Sequence, residues 1–210
     1  PYDIQKNETR KELVMKKALK LNVPIIYLNM VGGQDELVFD GGSFVVNDLG
    51  EIIYQASSFQ EEVFHLDIDL KIKKQNSKSS LTTRPKTTEL KDVKSKPSLS
   101  ENESIYSALK LGLLDYVSKN KFTKVLIGIS GGIDSALTAA ICVDALGSEN
   151  VLGVAMPSKY NSKESLEDAI TLSDNLGINL KIIEIEKIVD SFREVLANSL
   201  KEELGQITDE

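Results

Sequence analysis

Several absences narrow what this sequence can be. No stretch approaches the roughly 18 continuous apolar residues of a membrane-spanning helix, and no charged-then-apolar leader opens the chain. A membrane protein is therefore not expected. The single cysteine, Cys142, excludes an internal disulfide and suits a reducing cytoplasm. Positive charge is also short: the formal net charge is -7, which argues against a general nucleic-acid binder. What is present is an ordinary globular balance, 41% hydrophobic and 27% charged over 210 residues, enough for one or two domains with cores of their own. Pro1 stands first in place of Met and Glu210 follows a helical run, so the sequence reads as an internal piece of a longer protein.

The scarce positive charge is concentrated. Residues 71–98 hold nine Lys or Arg against two acids, +7 in a chain of -7, which leaves -14 for the rest. This stretch has no aromatic and no apolar period, and it cannot bury enough surface to offset its ordering entropy. It is expected to be a disordered linker rather than a basic arm for nucleic acid, which would interleave aromatics with the charges. The expected organisation is thus a front domain over 1–70, a linker over 71–98 and a rear domain over 99–210.

The front part reads mostly as strand. A short helix over 7–22 ends at Asn22 and Pro24, and "VPIIYLNM" follows as a buried strand. "GGSFVVND" and "EIIYQAS" are expected to pair around Asp48-Leu49-Gly50. "EVFHLDIDL" alternates, with Phe64, Leu66, Ile68 and Leu70 on one face and His65 beside Asp67 on the other, where a solvated histidine outweighs a catalytic one. After the linker the pattern becomes helix, strand, helix, strand, helix, strand, helix, the start of a doubly wound parallel sheet. Cys142 lies in an apolar helix and reads as a small core residue.

Between the first rear strand and its helix stands "GISGGIDS", residues 128–135. Without a lysine it is not a Walker A loop, and its glycines at 128, 131 and 132 do not make GxGxxG. Gly131 and Gly132 allow a sharp turn and a close backbone approach, the helix starting near Ile133 aims free N–H groups into the same space, and Ser130 and Ser135 add hydroxyl donors. All of this favours a multiply charged anion. Asp134 alone would repel one. Mg²⁺ resolves the conflict, because it takes carboxylate and phosphate oxygens together; the competing reading gives Asp134 only a first-turn helix role.

The run SGGxDS after a strand resembles the pyrophosphate loop of ATP-consuming adenylating enzymes, which cleave ATP between the α and β phosphates. The flanks, from "ALKLGLLDY" through "MPSKYNSKESLEDA", look like those of the glutamine-dependent NAD synthetase family, with Lys159 where that family usually has Arg. "PYDIQKNETR" and "VPIIYLNMVGGQDELVFDGGSFVVNDLGEII" resemble the end of that family's nitrilase-like glutaminase domain. The resemblance implies an α/β protein: the C-terminal part of a nitrilase-like αββα sandwich, followed by a doubly wound parallel-sheet domain of the adenine nucleotide alpha hydrolase type. It implies a carbon–nitrogen ligase that adenylates deamido-NAD⁺ with Mg-ATP, takes ammonia from glutamine, and releases AMP, pyrophosphate and glutamate, as a cytoplasmic homo-oligomer.

Residue by residue, it implies ATP contacts at Gly128, Ile129, Ser130, Gly131, Gly132, Ile133, Asp134, Ser135 and Met156, with Asp134 on the metal and Ser130 the candidate for a catalytic role. Adenine is expected near Met156 and Pro157, although a core-facing Met156 reads as well. Lys6 falls on the family's glutamine-contacting lysine, though Gln5 replaces the usual glycine before it and simple surface solvation also explains Lys6. The family's Glu, Lys and Cys triad lies upstream of the matched region, so this chain alone is expected to be incomplete as an enzyme. Two other readings are another pyrophosphate-loop enzyme, such as a tRNA thiolase, and a non-catalytic assembly remnant.

Overall fold

The computed structural model describes residues 1–66, 68, 99–159 and 162–204, so the linker expected over 71–98 lies outside the described residues. The chain divides into two compact units, Pro1–Tyr116 and Val117–Glu210.

In the first unit, α1 (Lys6–Leu21) buries Val14 and Ala18, four residues apart on one face, against Phe44 and Val46. Asn22 then ends the helix in the left-handed conformation, φ 53°, and returns its N–H to the Ala18 carbonyl. The strand expected over 23–30 is short: β1 spans only Ile25–Tyr27. It pairs antiparallel with β4 (Phe44–Val46), which pairs in turn with β5 (Ile52–Gln55) around the expected Asp48-Leu49-Gly50 turn. A buried ion pair closes this layer. Arg10 sets one guanidinium nitrogen 2.9 and 3.0 Å from the two oxygens of Asp40, and the Asn29 amide donates to the same carboxylate at 3.0 Å.

Two elements differ from the sequence reading. Residues 31–40 form a hairpin, β2 (Val31–Gln34) and β3 (Leu37–Asp40), whose two-residue turn places Asp35 at φ 50°. The paired glycines of β2 hide it from strand propensity. Conversely, "EVFHLDIDL" belongs to no strand among the described residues. Phe64, Leu66 and Ile68 nevertheless pack on Val45, Tyr54 and Ala56, so the alternation marks a buried face without a ladder. His65 is exposed, as its polar face requires.

Helix α2 (Glu101–Lys119) opens with a reciprocal cap. The Ser100 N–H donates to Glu103 Oε2 at 2.9 Å and the Glu103 N–H to Ser100 Oγ at 3.4 Å. Its residues through Tyr116 fall within the first compact unit. The contact is close because it is glycine on glycine. A Cβ on Gly33 would stand 3.1 Å from Gly112 Cα, and the Gly33 N–H donates to Asp115 at 2.7 Å.

The second unit carries a parallel sheet in the order β6 (Val125–Gly128), β7 (Val151–Ala155), β8 (Asn179–Ile182). Helix α3 (Ile133–Leu146) joins β6 to β7, and α4 (Lys163–Leu176) joins β7 to β8. Helix α5 (Glu186–Leu204) follows. Parallel strands need such crossovers, and the helices bury their small faces toward the sheet: Ala139 and Cys142 on α3, Ala169 and Ser173 on α4. Burial of Cys142 pushes its thiol pKa upward, which suits the inert core role read from its setting. Ser162 caps α4 by accepting the Ser165 N–H at 3.2 Å, and Gly177 ends it at φ 66°.

Candidate functional site

The loop after β6 sits at the carboxyl end of the parallel strands. Its ladder continues one residue past the strand, through the Ile129 N–H to the Val154 carbonyl at 2.9 Å. Ile129 is 3% exposed and packs where a Cβ on Gly153 would fall, so its side chain belongs to the core and only its backbone can face a ligand. Gly131 then reverses the chain at φ 83°, and Gly132 caps α3 with extended backbone and no side-chain cap. The leading N–H groups of α3 are therefore not capped by a side chain at this position.

The two serines hold the turn together. Ser135 Oγ donates to the Gly132 carbonyl at 2.9 Å and accepts the Ser130 N–H at 3.2 Å. Ser130 Oγ lies 3.1 Å from Ser135 Oγ and accepts the Gly132 N–H at 3.3 Å. Both hydroxyls thus shape the loop, and an arriving anion would compete with these internal bonds. Ile133 is 80% exposed. Asp134, second residue of α3, is exposed, and its carboxylate has no partner among the described residues.

Beside the loop lies a cavity of about 230 Å³. Gly128 to Ser130 form one wall, Ala155 to Pro157 a second, and Ser165, Leu166 and Ala169 of α4 a third. It is mostly apolar with a few polar edges, the balance expected of a small-molecule site. Met156 is half exposed and lines it, so this residue faces the cavity rather than the core. Gly128 faces the Met156 methyl, which stands 3.7 Å from where a Cβ would be. The α4 wall was not read from the sequence. Its signal was there: Ser165 and Ala169 sit four apart just after a helix cap, so they share a face.

The segment after β7 is tied to the start of α5. The Lys159 N–H donates to Glu186 Oε2 at 3.0 Å, and Lys159 Nζ lies 3.3 Å from Glu186 Oε1 and 3.8 Å from Asp190. The hydrogen bond from the Lys159 N–H, more than any other contact, holds the Glu186 pKa below the usual carboxylate range. Lys6 is remote in sequence from all of this. It is the exposed first residue of α1.

Among the described residues no cluster of three or more His, Cys, Asp or Glu could cage a metal by itself. A single exposed carboxylate beside a glycine turn and a helix N-terminus fits Mg²⁺, which keeps several waters and is commonly held by one or two carboxylates plus phosphate oxygens.

Comparison with known proteins is specific. The NAD synthase family model matches residues 105–208. Over the whole chain, the glutamine-dependent NAD(+) synthetase of Thermotoga maritima is 44% identical, and that of Synechocystis is 44% identical over 93% of the chain. The chain spans 39% and 33% of those two proteins' lengths. Among solved structures, the glutamine-dependent NAD⁺ synthetase of Acinetobacter baumannii in complex with ADP superposes with a TM-score of 0.82. That match has 40% identity and covers 98% of this chain and 36% of that one.

Proposed function

The chain belongs to the NAD synthase family, and from that premise we propose that it contributes the ATP-pyrophosphate site of a glutamine-dependent NAD(+) synthetase. The observation that carries the reading is the juxtaposition of the 128–135 turn with the cavity lined by Met156. One takes polyphosphate and the other a purine, side by side at the carboxyl end of a parallel sheet. The ADP named for the Acinetobacter baumannii relative is in keeping with an adenine nucleotide here.

In this reading Gly128 and Met156 bracket the base. The backbone N–H groups of Gly131 to Asp134 receive the β and γ phosphates, and Ser130 exchanges its internal hydrogen bond for one to a phosphate oxygen. Asp134 would hold Mg²⁺, which when bound would offset the charge of the departing pyrophosphate. The chain's own contribution to rate is electrostatic: N–H groups already aimed at where negative charge collects as the bond between the α and β phosphates breaks. The nicotinate carboxylate of deamido-NAD⁺ takes the adenylyl group, and ammonia then displaces AMP. The front unit, read as the end of a nitrilase-like αββα glutaminase whose triad lies upstream of it, would belong to the domain that supplies ammonia from glutamine, with Lys6 as a glutamine contact. The domain limits 1–70, 71–98 and 99–210 form part of the same proposal.

The test is made on the complete reading frame containing these residues, given Mg-ATP, deamido-NAD⁺ and either glutamine or ammonium. Equal amounts of AMP, pyrophosphate and NAD⁺ are expected with both nitrogen donors. ADP and inorganic phosphate in their place would contradict cleavage at the loop.

A further inference from the structure

The wall of the cavity formed by Ala155 to Pro157 lies at and beyond the end of β7, where sheet pairing should be running out. Instead the ladder continues at every second residue. The Ile183 N–H donates to the Ala155 carbonyl at 2.9 Å, and the Ile185 N–H to the Pro157 carbonyl at 3.5 Å. The next rung falls at Lys159, and there the opposing chain has already turned into α5, which begins at Glu186. Backbone can no longer supply it. A side chain does: Glu186 Oε2 accepts the Lys159 N–H at 3.0 Å, while its other oxygen faces Lys159 Nζ at 3.3 Å. Asp190 stands one turn further along the same helix face and lies 3.8 Å from the same ammonium.

Pro157 has no N–H, so the wall can be fixed there only through its carbonyl, and the Ile185 rung at 3.5 Å is the longest of the series. The rung at Lys159 therefore carries more of the burden of holding Met156 and Pro157 in register with Gly128 across the cavity.

We infer that Glu186 is a positioning residue for nucleotide binding, completing the β7–β8 ladder with its carboxylate and so fixing the wall on which the purine rests. The inference rests on the functional reading above and deepens it, since no comparison assigns a role to this residue. It touches neither phosphate nor metal. Its loss should reach the base end of the ligand and leave the phosphate end alone.

That asymmetry sets the experiment. Binding of Mg-ATP and of Mg-pyrophosphate is measured by calorimetry on the 210-residue chain and its Glu186→Ala, Glu186→Gln and Lys159→Arg variants. Exchange of the Lys159 amide proton is followed by NMR on the same samples. Glu186→Ala should weaken ATP roughly fivefold, the scale of one exposed charge-assisted contact, with pyrophosphate unchanged. Glu186→Gln keeps an acceptor for the N–H and should recover most of the loss. Lys159→Arg keeps both the N–H and the cation, so its residue 159 amide should exchange as in the parent. The Lys159 amide should exchange faster in Glu186→Ala only. Equal loss of ATP and pyrophosphate, unaltered ATP affinity in Glu186→Ala, or an unchanged amide would overturn the positioning role. Failure of the unaltered chain to bind Mg-ATP would overturn the nucleotide reading itself and the positioning role with it. A faster amide in Glu186→Ala would then still mark the rung as real and structural only.

Discussion

Replacing Gly131 by valine should unfold the loop and remove Mg-ATP binding altogether. At φ 83° the position lies in the region that β-branched residues avoid, which costs about 1–3 kcal/mol. The larger obstacle is the backbone of α4: a Cβ on Gly131 would lie 2.8 Å from Ser165 Cα and closer still to the Ser165 carbonyl oxygen. Neither atom can rotate away, so the loop or the first turn of α4 must move, at a further cost of roughly 1–3 kcal/mol. The sequence alone points to a glycine needed for close approach of a ligand; the structure adds that it is needed for close approach of a helix. Because the offending atom is the Cβ, Gly131→Ala should fail nearly as badly as Gly131→Val. Gly132 provides the contrast. Its φ is -88° and its added Cβ would meet only Ser130 Oγ at 3.4 Å, so Gly132→Ala should keep the parent's stability to within about 0.5 kcal/mol. Thermal melts of the three variants check this. Gly131→Ala melting with the parent would contradict the account of the turn.

Asp134→Asn should lower the affinity for Mg-ATP by roughly 30- to 100-fold, the equivalent of about 2–3 kcal/mol for a metal-bridging carboxylate. Without metal the sign reverses. The carboxylate then only repels the triphosphate, so in the presence of a chelator the Asn variant should bind ATP as well as the parent, or better. A carboxylate serving merely to stabilise the first turn of α3 predicts something else, a loss of about 0.3–1 kcal/mol of stability and no dependence on metal. The Asn side chain leaves the Thr138 hydroxyl bond to the Asp134 carbonyl in place, so the helix itself should persist. Titrations with ATP, with and without Mg²⁺, separate the two. Equal losses in both would remove Asp134 from the metal.

How much of this could be read from the residues depends on whether the signal was local. Helix α4 follows the helix, strand, helix order read from the residues, because its serine cap and its left-handed glycine are both written within one stretch. The turn at 128–135 was legible for the same reason. The β2–β3 hairpin was not. Two glycines occupy β2, and what favours Gly33 there is its near contact with Gly112, far along the chain, which no local pattern records. Among the described residues, the alternation over 62–70 marks burial at Phe64, Leu66 and Ile68 but no pairing, since period two states which side chains face inward and not whether a partner strand exists; Leu70 lies outside the described residues. A third of the cavity's lining was equally hidden. Ser165, Leu166 and Ala169 reach the site only because α4, returning the chain from β7 to β8, brings its first turns beside the loop that follows β6.

The central claim is that the loop and the cavity form one adenine-nucleotide site. Hydrogen exchange of the 210-residue chain, compared with and without Mg-ATP, tests it most directly. Protection is expected in two separate stretches, 128–135 and 155–159, with the start of α4 following and the front unit's 25–55 unchanged. Protection confined to the front unit, or a loop whose exchange is the same with and without Mg-ATP, would contradict it.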